Sequence, residues 1–137
     1  MINLAAEEVL HIKVRCGEVM PVGAGPEGRL NVIPIIGGEV DGIFKGTVVS
    51  GGADWSITNN CGNHVFAKYL LKTDSGEYIA IENEGILTDE KRRISTVPKF
   101  YLDRNSKYNE LNSGVYVASL EVGGPEFIVD IHIYKMK

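Results

Sequence analysis

The amino-acid sequence predicts an all-β fold: a single antiparallel sheet of about eight or nine strands, closed into a β-barrel or nearly so, with little helix. Three features point there. The 16 glycines cluster between short apolar runs and leave few uninterrupted windows of helical length. The runs themselves alternate with period two, the spacing of half-buried strands. No strand–helix–strand alternation of the kind that builds parallel sheets is present.

Taken in order, the first strand is expected over residues 9–14, where Leu10, Ile12 and Val14 share one face and His11 and Lys13 the other. A glycine-rich loop follows over 23–28. Residues 30–36 read as a strand interrupted by Pro34, which cannot donate to a ladder and belongs at an edge or bulge, with Gly37 and Gly38 bending it. Residues 43–50 form a strand around Gly46, a placement that tightly coiled barrel sheets use at corners. Another strand begins at 55–58, and Asn59-Asn60-Cys61-Gly62-Asn63 has turn chemistry. Residues 64–73 and 78–83 pair as a hairpin through Asp74-Ser75-Gly76. The charged stretch 88–93 reads as an exposed connection or one short helical turn. Residues 94–102 suit an edge strand because of Pro98. Strands over 114–122 and 127–136, joined by a turn at 123–126, close the chain.

The 137 residues make one domain, 1–137, long enough to bury a core without disulfide or metal staples. With 44% hydrophobic and 23% charged residues, the composition is that of a globular protein. Net charge is −4 and the basic residues gather into no stripe, so a nucleic-acid partner is not expected. Glu7 and Glu8 stand where a signal peptide needs an apolar run, and no stretch approaches the roughly 20 apolar residues of a membrane span, so a cytoplasmic protein with no membrane partner is expected. Cys16 and Cys61 have no metal-ligand or redox spacing and read as reduced, buried bystanders. His11, His64 and His132 share no metal-binding motif, and neither a phosphate loop nor a dinucleotide fingerprint is present, so no metal and no cofactor are expected.

The sharpest local string is Gly51-Gly52-Ala53-Asp54-Trp55. Its small residues allow close backbone approach, Asp54 offers a carboxylate and Trp55 a flat apolar wall. The plainer reading is a Gly-Gly turn, an aspartate satisfying turn amides and a tryptophan in the core. Lys68 and Tyr69 are neighbours on a strand and point to opposite faces. Val65, Ala67, Tyr69 and Leu71 read as the core face, which leaves Lys68 with Phe66, Leu70 and Lys72 in solvent. Glu82, Asn112, Asp130 and His132 are further polar candidates. Asp130 and His132 share a strand face and suit either a base with its orienting carboxylate or a hydrated outer surface.

The strings Ile33-Pro34-Ile35-Ile36-Gly37-Gly38, Lys45-Gly46-Thr47-Val48, Gly51-Gly52-Ala53-Asp54-Trp55, Asp74-Ser75-Gly76, Asn83-Glu84-Gly85 and Leu111-Asn112, in that order, resemble domain-of-unknown-function family 3237 over nearly the whole chain. The resemblance implies a barrel similar to those of allene oxide cyclases and dirigent proteins, which hold an apolar ligand inside. Some fungal relatives look like cyclases that close rings without a cofactor by holding and polarising a substrate. The chain departs from the family pattern at Lys68, where an arginine is usual, at Phe66, where an acid is usual, at Glu110, where a tryptophan is usual, and at Tyr101-Leu102, with Asp103 the nearest acid. The expectation is a barrel binding a small, mostly apolar or phenolic ligand, acting as a cofactor-independent cyclase or isomerase. Asp54 and Lys68 would be catalytic, and Trp55, Tyr69, Glu82 and Asn112 would bind the ligand. The alternative is a non-catalytic assembly module, a homo-oligomer whose barrel is filled by side chains.

Overall fold

Period-two alternation gives each strand one apolar face, and a sheet with one apolar face is stable only if that face is covered. In the computed structural model, which describes residues 1–88, 93–123 and 127–137, the sheet covers its own face by closing. The strands are β1 (Ala6–Cys16), β2 (Met20–Gly25), β3 (Gly28–Gly42), β4 (Gly46–Asn59), β5 (Gly62–Thr73), β6 (Tyr78–Leu87), β7 (Ile94–Tyr101), β8 (Tyr116–Gly123) and β9 (Ile128–Met136). Among the described residues they lie in the order β1-β9-β8-β7-β6-β5-β4-β3-β2, and β1 also pairs with β3. Eight antiparallel strands therefore form a ring, with β2 as an extra strand beside it. Among the described residues no helix is long and apolar enough to cross a membrane.

Several local details differ from the sequence expectation. The glycine-rich segment expected as a loop contributes β2, which pairs Met20–Gly25 with the first part of β3 through a tight hairpin. The segments expected as two strands around Gly51 and Gly52 are one strand, β4, whose register slips between Val49 and Ala53. Gly52 permits that slip: a Cβ there would lie 2.5 Å from both the Lys68 carbonyl oxygen and the Tyr69 Cβ. Gly38 does the same on β3, where φ is +145° and a Cβ would lie 2.0 Å from the Lys13 carbonyl oxygen. Pro34 falls where β3 changes partner, after Val32 pairs with Met20 and before Ile35 pairs with Cys16, so its missing N–H leaves no gap in the ladder. Its carbonyl accepts the Gly17 N–H at 2.8 Å.

Strand β7 is interior, not an edge, because β6 and β8 flank it. Pro98 is tolerated because the β7–β8 pairing reaches only from Ile94 to Thr96. The β5–β6 hairpin forms as expected, with the Thr73 N–H on the Glu77 carbonyl at 2.9 Å. Cys61, expected buried, is exposed at the β4–β5 turn; Cys16 is half-buried, and both thiols are free. The connection expected at 88–93 and the turn expected at 123–126 fall largely outside the described residues.

One end of the barrel is filled. Leu10, Ile12, Leu71, Ile79, Ile81 and Ile133 are wholly buried there. A 3-10 helix, Asn109–Asn112, lies over that end and drives Leu111 into it. Aromatic pairs Phe44–Tyr108 and Phe100–Tyr116, with ring centroids 5.1 and 5.3 Å apart, complete the plug.

Candidate functional site in the open end of the barrel

At the opposite end, where Val14, Ala67 and Val129 are among the lining side chains, a cavity of about 170 Å³ remains. Its wall is mainly apolar, from Val14, Ile33, Ile35, Val65, Leu120 and Val129, with Val19, Val122 and Phe127 exposed at the rim. Five residues of different character interrupt it: Asp54, Asn63, Tyr69, Asn83 and Cys16.

Strand register brings these together. Asp54 on β4 stands opposite Ala67 on β5, and Ala67 stands opposite Asn83 on β6. The three form one cross-strand row facing inward, and the methyl of Ala67 is too short to fill the space between its neighbours. Tyr69 lies two residues beyond Ala67 on the same face of β5. Cys16 comes from the end of β1 across the barrel.

The carboxylate of Asp54 accepts the Phe66 N–H at 3.0 Å. Burial nonetheless holds its pKa above the usual aspartate value, against the lowering effects of that hydrogen bond and of His64. Burial also pushes up the Cys16 thiol, with the Asp54 charge adding to it. The Tyr69 phenol is buried and held neutral far beyond its ordinary range, first by desolvation and then by Cys16 and Asp54. The Tyr69 Oη and the Asn83 Oδ1 are fully buried, and neither has a hydrogen-bond partner among the described residues. By contrast Asn63, also on the cavity wall, has its Oδ1 taken by the Ser56 hydroxyl at 2.5 Å.

Of the residues expected at the site, the structure brings Asp54 and Tyr69 together and places the others elsewhere. Lys68 points outward by strand alternation and pairs with Glu82 across the β5–β6 ladder, Nζ to Oε1 at 3.2 Å, so neither reaches the cavity. Trp55 follows Asp54 on β4 and is 53% exposed on the outer surface, so it is neither a cavity wall nor a core residue. Asn112 braces the plug at the far end: its Oδ1 accepts the Leu102 N–H and its Nδ2 donates to the Leu102 carbonyl, each at 3.0 Å. Asp130 and His132 stand on the outer face of β9. Sequence reasoning passed over Cys16, Ala67 and Asn83. Asn83 carries a legible signal, being the polar member of the inward series that begins with the buried Ile79 and Ile81.

Relatives share both chain length and fold. A UPF0311 protein of Bradyrhizobium diazoefficiens is 33% identical over 147 residues, covering 95% of this chain and 96% of that protein. The crystal structure of a conserved protein of unknown function from Rhodopseudomonas palustris superposes with a TM-score of 0.87 at 29% identity, covering 100% of both chains. A structure described as an enzyme from Penicillium herquei matches with a TM-score of 0.80 over 100% of this chain and 97% of that one; at 18% identity the likeness is one of fold alone. The family model for proteins of unknown function DUF3237 matches residues 4–136, and the chain belongs to that family.

Proposed function

We propose that this barrel binds a small, mostly apolar, single-ring molecule carrying a carbonyl or phenolic oxygen, and acts on it as a cofactor-independent isomerase or cyclase. The observation that carries the reading is the pair of unpartnered buried atoms, Tyr69 Oη and Asn83 Oδ1, on two residues that line an apolar cavity together with Asp54. An unsatisfied buried polar atom costs about 1–3 kcal/mol, and a ligand oxygen accepting from Tyr69, or a ligand hydroxyl donating to Asn83, offsets that cost. The size suits one ring: an apolar protein cavity of about 150 Å³ holds benzene.

The chemistry follows from how burial tunes each group. A carboxylate whose pKa is raised is a stronger base than an ordinary one. A phenol that stays neutral remains a hydrogen-bond donor. In a bound β,γ-unsaturated ketone, Tyr69 Oη–H would hold the carbonyl oxygen while the Asp54 carboxylate takes the α-proton, leaving a dienolate, nucleophilic at the α and γ carbons, whose charge the Tyr69 hydrogen bond stabilises. Return of that proton from Asp54 to a different carbon completes an isomerisation, a division of labour between carboxylate and tyrosine that other enzymes use. The assembly-module alternative expects a barrel filled by side chains, and the cavity favours the ligand reading over it.

Thermal-shift screening with phenols and cyclic enones against plain benzene tests the binding. Oxygenated rings should stabilise the protein more than benzene does, and Tyr69→Phe should erase that preference. Incubating a bound cyclic enone in deuterium oxide tests the chemistry: α-deuterium should enter with the wild type and not with Asp54→Asn. A screen in which no oxygenated ring raises the melting temperature would remove the basis for the assignment.

A further inference from the structure

On the outside of the barrel, on the face of β9 opposite the cavity-lining Val129 and Ile131, the closing seam gathers a second set of reactive side chains. His11 on β1 stands directly opposite His132 on β9, and their rings stack with centroids 4.2 Å apart. Asp130, two residues from His132 on the same face of β9, contacts both: Oδ1 bonds His11 Nε2, and Oδ2 lies 3.5 Å from His132 Nε2. One donor atom from each of the three lies within 4.8 Å of the others. The fourth member, Glu8, arrives by a bulge. The β1–β9 register slips between Glu8 and Leu10, so that Val9 and Leu10 are both buried and Glu8 turns out onto the imidazole face, where Oε1 bonds His132 Nδ1.

The neighbouring rows add negative charge. Asp41 stands opposite His11 on β3, and Glu121 stands opposite Asp130 on β8. Two carboxylates directly across a ladder repel one another. Lys13, opposite both Asp130 and Glu39, is the basic residue that stands between them. The β1–β9 seam thus combines two imidazoles with an excess of carboxylates on rigid strand backbone.

We propose that His11, His132 and Asp130, with Glu8 in support, form a surface site for a divalent first-row transition-metal cation, Zn²⁺ foremost. Imidazole donors select this class over Mg²⁺ and Ca²⁺, which prefer all-oxygen shells. Binding turns the two rings out of their stack to aim one nitrogen of each at the ion; χ2 of histidine is a broad torsion, so the turn meets little resistance. Asp41 and Glu121 then provide outer carboxylates that orient ligands and offset the ion's charge. No motif in the sequence announces this site, because its ligands come from strands at opposite ends of the chain.

Calorimetric titration of the full-length protein with Zn²⁺, and the visible spectrum with Co²⁺, test it. One ion should bind per chain, and His11→Ala and His132→Ala should each weaken binding at least about 10-fold, the least that losing even an outer-shell partner costs. Cys61→Ser and His64→Ala, which remove the exposed cysteine and the third histidine, should leave binding intact. In the wild type, Zn²⁺ should shift the imidazole NMR signals of His11 and His132 and spare His64, a readout that needs no variant. Absence of saturable binding, or binding that survives both His11→Ala and His132→Ala, would overturn the proposal.

Discussion

The two ends of the barrel are built from the same strands and differ in what those strands point inward. At the plugged end the inward positions carry Leu10, Leu71, Ile79, Ile81 and Ile133, large side chains with no solvent exposure, and Leu111 completes the seal. At the open end the same strands supply Val14, Ala67 and Asn83, and the space left between them is the cavity. β6 makes the contrast within one strand: Ile79 and Ile81 pack the core, and two residues later Asn83 leaves its amide oxygen unpaired. One end holds the fold together. The other end carries buried polar atoms without partners, which lower stability and, on the function proposed above, are held for a ligand.

Substitutions can break this contrast, and the largest effect should come from the plug. Leu111→Ala leaves a cavity at a fully enclosed site and should cost about 2–5 kcal/mol in denaturant unfolding. The open end should answer differently. Ala67→Leu adds volume where there is room, so its stability should change by less than about 1.5 kcal/mol while binding of oxygenated rings disappears.

A middle-sized effect is expected at Gly52, where β4 and β5 touch. Gly52→Ala should cost about 1–3 kcal/mol, because the new methyl meets the Lys68 carbonyl and Tyr69, and it should disturb the cavity by displacing Tyr69. Smaller again is Tyr69→Phe. Removing a hydroxyl that is buried without a partner should leave stability unchanged or raise it by about 1 kcal/mol, whereas deleting a satisfied hydroxyl would lower it. Measured beside it, Lys68→Ala should change stability by less than about 1 kcal/mol and leave ring binding unaltered, since its ion pair with Glu82 is on the solvated outer face.

Asp54 adds a dependence on pH whose sign is fixed by its burial. Because its folded pKa is raised, the folded state holds the proton more tightly than the unfolded chain does. Its contribution is therefore fully favourable below the ordinary aspartate value, and it declines as pH rises through the interval up to the raised value. The melting-temperature difference between Asp54→Asn and the wild type should grow in the variant's favour across that interval and then level off. A difference that shrinks as pH rises would mean that Asp54 is stabilised as the anion.

The ring of strands was legible because alternation and turn chemistry are local. Residues 64–83 announce their hairpin, and the final strand announces its inward face. Strand β2 was not legible: Met20–Gly25 has a weak apolar period and takes its conformation from the first part of β3. Half of the site could be read from sequence. The core face of β5 places Tyr69 inside, and the Gly-Gly-Ala-Asp string marks Asp54. Lys68 and Trp55 show the limit, since each is adjacent in sequence to a cavity residue and faces the other way for that reason. Cys16 enters the cavity through the pairing of β1 with β3, strands not consecutive in the chain, which no single segment encodes, whereas Asn83 lies on the β5–β6 hairpin and follows from the inward series of β6.

The central claim is that the open end is a ligand site whose polar groups are held for a bound oxygenated ring. A methyl NMR titration of the labelled protein with phenol tests it most directly. Saturable shifts are expected at Ala67, Val65, Val129 and Ile131 around the cavity, with the plugged-end methyls of Leu10, Leu71 and Leu111 unmoved. Unchanged cavity methyls at saturating phenol, or equal shifts at both ends, would contradict it.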